Sequence, residues 1–253
     1  LCSNERVVIR NTSTVDFGVV TKVDIVWDLV NAPTVVQTDN TPQPNGTYSH
    51  AYPVFHTQTP RNYTIRLLAY SGGSCVDIKD TTITLLPAPR VVFNTMPGIC
   101  LSAPNRAITQ ASDSANLPGT FAFSGSGVTS SGVFTPTVSG TFPIQYLVIS
   151  NSGCRDSVTR NLTVWPRPIA VWGTSTPLCE NNAIRFLDTS RALIGNIVQW
   201  QWNFGDGRRD TFTNGNAFNR TYASFNTYNA SLTVVTDSGC ISTATSRTLV
   251  VHP

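Results

Sequence analysis

The sequence predicts an all-β chain of three tandem β-sandwiches, on three observations. A cysteine-ended segment occurs three times with the same aromatic spacing, apolar and polar residues alternate around it, and the residues that build helix surfaces are nearly missing. Only 12% of the 253 residues are charged, and glutamate and lysine occur twice each, as Glu5, Glu180, Lys22 and Lys79. Long amphipathic helices need such residues on their solvent face, so a helical layer is not expected. The abundant Ser, Thr, Asn, Gly and Pro suit short strands joined by turns.

The repeat comes first because it sets the frame for every motif. "YTIRLLAYSGGSC" (63–75), "FPIQYLVISNSGC" (142–154) and "YNASLTVVTDSGC" (228–240) each place an aromatic residue twelve positions before a cysteine. Apolar-rich segments follow and run into proline each time. A second set of cysteines falls in register, in "LC" (1–2), "PGIC" (97–100) and "TPLC" (176–179). Three homologous modules result, spanning 1–88, 89–167 and 168–253, with linkers at Pro87-Ala88-Pro89 and Pro166-Arg167-Pro168. Each has the size of an ordinary domain.

Alternation then assigns strands within each module. Tyr63, Ile65, Leu67 and Ala69 share one side of an extended segment, as do Tyr228, Ala230, Leu232 and Val234. Two sheets packed on such faces make a sandwich of immunoglobulin type. The second and third modules open with a strand before their first cysteine, whereas the first begins at Leu1-Cys2. This phase predicts a segment of a longer array, with an open sheet edge in the first module where its leading strand belongs.

Six cysteines, two per module, favour the pairing Cys2–Cys75, Cys100–Cys154 and Cys179–Cys240, one internal bond in each. Fifteen connectivities exist for six cysteines, and the repeat phase selects this one because it recurs in every module. Six reduced, buried thiols are the competing reading. Metal binding is disfavoured by the absence of a close CxxC pair. Bonded cysteines imply an oxidising or extracellular compartment.

"WQWNFGDG" (200–207) reads as architecture. In a strand, Trp200, Trp202 and Phe204 project to one face, into a sandwich core, with Gln201 and Asn203 on the other. Gly205, Asp206 and Gly207 suit a tight reversal, since glycine accepts positive φ and aspartate bonds nearby amides. A phosphate cradle needs a glycine loop opening a helix, and "RRDTFTNGN" is not helical. Calcium is the better rival: Asp188, Asp206 and Asp210 offer hard oxygen ligands if the turn meets the "LDTS" segment. No cofactor is otherwise expected.

Catalysis is not expected. His50, His56 and His252 lie in no H-E-x-x-H or cysteine–histidine arrangement, no G-x-S-x-G elbow occurs, and two glutamates supply few carboxylate pairs. His50, two residues before Tyr52 as Arg220 is before Tyr222, reads as structural. The net charge of +3 comes from scattered arginines, with only Arg208 and Arg209 adjacent, so no nucleic-acid stripe forms. No apolar run approaches the length that spans a bilayer, so membrane insertion within these residues is not expected. Trp165 and Trp172 flank the second linker and offer either sugar stacking or packing against a neighbouring module; packing is preferred.

"FLDTS" (186–190), "IVQWQWNFGDG" (197–207), "NRTY" (219–222) and "NTYNASLTVVTDSGC" (226–240) together resemble the polycystic-kidney-disease (PKD) domain, an immunoglobulin-like sandwich marked by a W-x-F-G-D-G strand and turn. The first module, with "VDIVWDL" (23–29) and "SHAYP" (49–53), resembles a divergent relative without FGDG, and the middle one is similar to glycine-rich immunoglobulin-like repeats. Cysteine-bearing arrays of this kind resemble large surface proteins of Bacteroidetes, exported by the type IX secretion system as adhesins or gliding-motility proteins. That resemblance implies a cell-surface location and, as partners, neighbouring repeats, surface polysaccharide or other surface proteins. It also implies O-glycosylation at Asp-Ser/Thr sequences, here on Thr81, Ser114 and Ser157. The expected role is a semi-rigid spacer about 100–130 Å long if each module adds roughly 35–45 Å. Two other roles remain in view: a carbohydrate-binding accessory region of a secreted enzyme, and a structural subunit of an extracellular filament.

Overall fold

The structure, a computed structural model, describes residues 1–73, 75–101 and 103–253. Every regular element among the described residues is a β-strand, and the all-β expectation holds. The backbone divides into two compact units. One comprises 1–93, 109–122 and 145–158, and the other 94–108, 123–144 and 159–253.

In the first unit the leading strands are β1 (Arg6–Arg10), β2 (Lys22–Val26), β3 (Val36–Asp39), β4 (Thr47–Ala51), β5 (Arg61–Ser71), β6 (Cys75–Leu85) and β7 (Val91–Phe93). One sheet runs β3-β2-β5-β6, and β1 pairs with β4 in another. The long hairpin β5–β6 is in register from Arg61 opposite Leu85 to Ser71 opposite Cys75. Alternation aims Val7, Ile25, Tyr48, Ile65 and Leu85 into one buried cluster with Trp27, Tyr52 and Phe55. Burying one such side chain stabilises the fold by about 1.5–3 kcal/mol. Asp24 is buried beside this core, and there it is matched by Lys22 Nζ at 2.8 Å and by the Thr38 hydroxyl at 2.7 Å.

The middle of the chain supplies β8 (Ile99–Cys100), β9 (Arg106–Ala107), β10 (Ala111–Asp113), β11 (Gly119–Ser124), β12 (Val133–Phe134), β13 (Gly140–Ser150) and β14 (Arg155–Trp165). Strands β11, β13 and β14 each run through the division, so both units draw on this stretch. In the first unit β7 pairs with β10. In the second, β9 pairs with β12, and β8 lies parallel to the end of β14, with Cys100 opposite Trp165.

The second unit ends with β15 (Trp172–Thr174), β16 (Ala183–Asp188), β17 (Ile197–Asn203), β18 (Arg209–Phe212), β19 (Phe218–Thr221), β20 (Asn226–Thr236) and β21 (Thr245–Val251). Its sheets run β15-β16-β19 and β18-β17-β20-β21. Trp172, Phe186, Trp202, Phe204, Ala230, Leu232 and Val234 close the core between them. Strand β16 is flanked on both sides, whereas β1, which like β16 pairs with the strand carrying the "HAY" or "RTY" sequence, has β4 alone among the described residues.

Candidate functional site

The "WQWNFGDG" segment forms β17 and the turn into β18. Trp200, Trp202 and Phe204 face the core while Gln201 points out, as alternation requires. Gly205 adopts φ +80° and sits so close to β20 that a Cβ there would lie 2.6 Å from the Asn229 carbonyl oxygen. Only glycine fits both constraints. Asp206 accepts the Arg208 amide at 3.1 Å, closing the turn, and the Arg220 guanidinium at 2.6 Å.

Arg220 joins this turn to β19. Its guanidinium lies 3.8 Å over the Phe204 ring, bonds Asp206 and approaches Asp210 at 3.9 Å. Burial pulls the Asp206 carboxyl upward, but the Arg220 hydrogen bond and the Arg208 amide outweigh it and hold the group below its ordinary 3.8. Two residues on, the Tyr222 hydroxyl donates to the Phe204 carbonyl at 3.0 Å. Burial raises that hydroxyl to about 12, so it stays a donor. The sequence pointed to Asp206 but missed Arg220 as its partner. The "RTY" triplet was the available signal, because strand alternation puts Arg220 and Tyr222 on one side.

The three candidate calcium ligands each have partners within the protein. Asp188 accepts the Trp200 indole at 2.8 Å and the Ser190 amide and hydroxyl, while Asp206 and Asp210 share Arg220. Among the described residues no group of three or more His, Cys, Asp or Glu is placed to hold a metal. Two members of the Asp188–Asp206–Asp210 set thus face one guanidinium, at 2.6 and 3.9 Å.

The first third of the chain repeats this arrangement with other side chains. The Tyr52 hydroxyl donates to the Trp27 carbonyl at 2.6 Å, and His50 stacks on the Trp27 ring at 5.0 Å. Trp27 thus stands for Phe204 and His50 for Arg220. Asp28 takes the place of Gly205 and accepts the Asn31 amide at 3.0 Å. Burial, and then the Arg6 charge, lower His50 from its ordinary 6.5.

The cysteines correct the expected pairing. The bonds are Cys2–Cys154 and Cys100–Cys240, spanning 152 and 140 residues, and Cys75 and Cys179 are free. The reason is strand length. Cys75 begins β6, an eleven-residue strand, and Cys2 bridges Leu86 just past its far end. Eleven residues of strand extend about 35 Å, whereas a disulfide needs Cα atoms roughly 4.4–6.8 Å apart. Cys100 beside Trp165 is likewise a strand-length from Cys154, which directly precedes β14. The periodicity was real, but each bond is shifted by one repeat.

Residues 165–251 match the family model of the PKD domain. This segment resembles a PKD-type repeat. No curated protein matches the chain. The PKD1 domain of Vibrio anguillarum Epp aligns at 27% identity over 34% of this chain and 94% of its own, with a TM-score of 0.30. The PKD1 domain of the Vibrio cholerae metalloprotease PrtV aligns at 26% identity over 34% and 99%, also at 0.30. A calcium-stabilised adhesin of an Antarctic bacterium overlays 99% of the chain and 70% of its own at 14% identity and TM-score 0.39.

The PKD-type repeat also places the linker tryptophans. Trp172 is 1% exposed in its core and donates its indole N–H to the Thr245 carbonyl at 2.8 Å. Trp165 packs on Gly98, where a Cβ would lie 2.5 Å from its ring. The sugar-stacking alternative is overturned for Trp172, and Trp165 keeps only a half-buried ring. The hydroxyl residues Thr81, Ser114 and Ser157 are all exposed, as a modifying enzyme requires. His56 sits on a loop, its Nδ1 bonded to the Ala88 carbonyl at 2.8 Å, so it too serves the fold. No helix among the described residues is long and apolar enough to cross a membrane.

Proposed function

We propose that the chain is a non-catalytic repeat segment of a secreted surface protein, built to space and to bear load. In this reading three modules, 1–88, 89–167 and 168–253, stand outside the cell in an adhesin or gliding-motility protein of the kind exported by type IX secretion in Bacteroidetes. Thr81, Ser114 and Ser157 carry glycans, and no metal is needed. Supporting it are the PKD-type match at 165–251 and a motif whose Trp202 and Phe204 are buried in the core and whose Asp206 is paired with Arg220.

The overlap of the two disulfides carries the proposal. Followed along bonds, the shortest path from Leu1 to Pro253 crosses to Cys154, runs back to Cys100, crosses to Cys240 and continues to the end. That path holds about 70 residues, so a pulled oxidised chain stretches to roughly 250 Å, against roughly 850 Å when reduced. Such bonds turn an unfolding accident into a bounded give. Single-molecule pulling from the two termini tests the reading. Extension stopping near 250 Å under oxidising conditions supports it, and full extension while the bonds are intact overturns it. Chelation by EDTA is expected to leave the melting temperature unchanged; a fall of several degrees would restore calcium as a cofactor.

A further inference from the structure

We infer that Cys75 and Cys179 are linking sites for a further module of this kind, each awaiting the cysteine that its counterparts in the chain already have. The claim rests on the pairing pattern and not on the load-bearing role.

The linker-side cysteines are equivalent in three places. Cys2 and Cys179 form parallel bridges to Leu86 and His252, and Cys100 lies opposite Trp165; all three partners immediately precede proline. The residue after each cysteine, Ser3, Leu101 or Glu180, donates its amide to that partner's carbonyl at 2.8 Å. The hairpin-tip cysteines are equivalent too. Ser150 and Thr236 donate their amides to the carbonyls of Cys154 and Cys240, and Ser71 is paired with Cys75 in register. Two of three members of each class are bonded, always linker-side to the hairpin tip of the next repeat.

Cys75 lacks the cover that its counterparts have, whereas Cys179 is half-buried like the bonded Cys100. Cys154 and Cys240 are 0% and 1% exposed, while Cys75 is exposed, with Val76 and Ile78 exposed on the same strand. Cysteine is among the most consistently buried residue types, so an exposed one at an otherwise buried position marks a missing neighbour. Beside the Cys2–Cys154 bond, the Asn4 side chain donates to the Arg155 carbonyl at 2.8 Å. Asn181 stands at the same place after Cys179 and is exposed. The matching acceptor after Cys75 is the Val76 carbonyl. Cys179 therefore fits a hairpin tip such as that of Cys75, head to tail.

Formation is ordinary thiol–disulfide exchange with glutathione disulfide as oxidant. One cysteine thiolate attacks it, releasing a glutathione thiol, and the second cysteine displaces the other. Two protein thiols become one disulfide while one glutathione disulfide becomes two thiols.

The test uses the whole chain as Cys75→Ser and Cys179→Ser variants. Peptide mapping first confirms that both native bonds persist in each, which separates misfolding from failure to link. Mixed one to one under a glutathione redox buffer, the variants are expected to give a single covalent dimer joined Cys179–Cys75, at least tenfold more abundant than either symmetric dimer. Wild type is expected to give a ladder. The same variants fused through a long Gly/Ser linker separate the sources. Linking of separate chains supports a second copy as partner, and linking only when fused supports neighbours in one polypeptide. Absence of the Cys179–Cys75 bond in both formats, or symmetric dimers prevailing, overturns the inference.

Discussion

Where Arg220 lies over Phe204 in the last third of the chain, His50 stacks on Trp27 in the first, and where Gly205 turns beneath Asn229, Asp28 caps its own loop. Both regions keep the tyrosine hydroxyl bonded to the aromatic residue's carbonyl. The invariant part is the backbone clamp, and the aromatic face above it accepts either a cation or a flat ring. The two regions also mirror each other in their thiols. The first bonds its linker-side Cys2 and leaves its hairpin-tip Cys75 free, and the last does the reverse with Cys179 and Cys240.

The largest test removes the covalent half of that mirror. Cys154→Ser and Cys240→Ser are each expected to destabilise the chain by about 5 kcal/mol, the loop-entropy value for closures of 152 and 140 residues. Denaturant titration of the two variants measures it, and equal losses would show that the repeats use their bonds alike. Next, Gly205→Ala is expected to cost about 3 kcal/mol, from positive φ and the clash with Asn229. Asp28→Gly at the matching place costs about 1 kcal/mol, the value of its turn hydrogen bonds. Similar costs at both would erase the contrast between a glycine-dependent turn and a capped loop.

Smaller still, Arg220→Met is expected to cost about 2 kcal/mol by stranding the half-buried Asp206 carboxylate. His50→Ala costs about 1 kcal/mol, the worth of an aromatic stack.

The smallest effect is in pH. His50 has a lowered value when folded, so its contribution is present above 6.5 and is lost as pH falls through the folded value. Asp206 is also lowered, so its contribution is present above 3.8 and is lost only as pH falls through its own folded value. Between about pH 7 and 5 the first region is therefore expected to weaken and the last to hold. Thermal scans of wild type and His50→Phe, which removes the slope, check this.

Much of the architecture was legible because it depends on local period. Tyr228, Ala230, Leu232 and Val234 share a face in β20 as their spacing required, and "FGDG" turned where two glycines allowed it. Other features depended on which distant groups meet. Trp172 looked as available to a sugar as Trp165 until the core closed over it. The partner of Asp206 and Asp210 was hidden for the same reason, because Arg220 lies on another strand.

From its own residues, then, the chain determined strands, turns and the three-fold rhythm of aromatics and cysteines, since each follows from side-chain alternation and backbone freedom within a few positions. The choice of disulfide partners belonged to the tertiary structure. An eleven-residue strand carries the two cysteines of one repeat to opposite ends, and a sulfur bonds whatever sulfur the completed fold brings within reach.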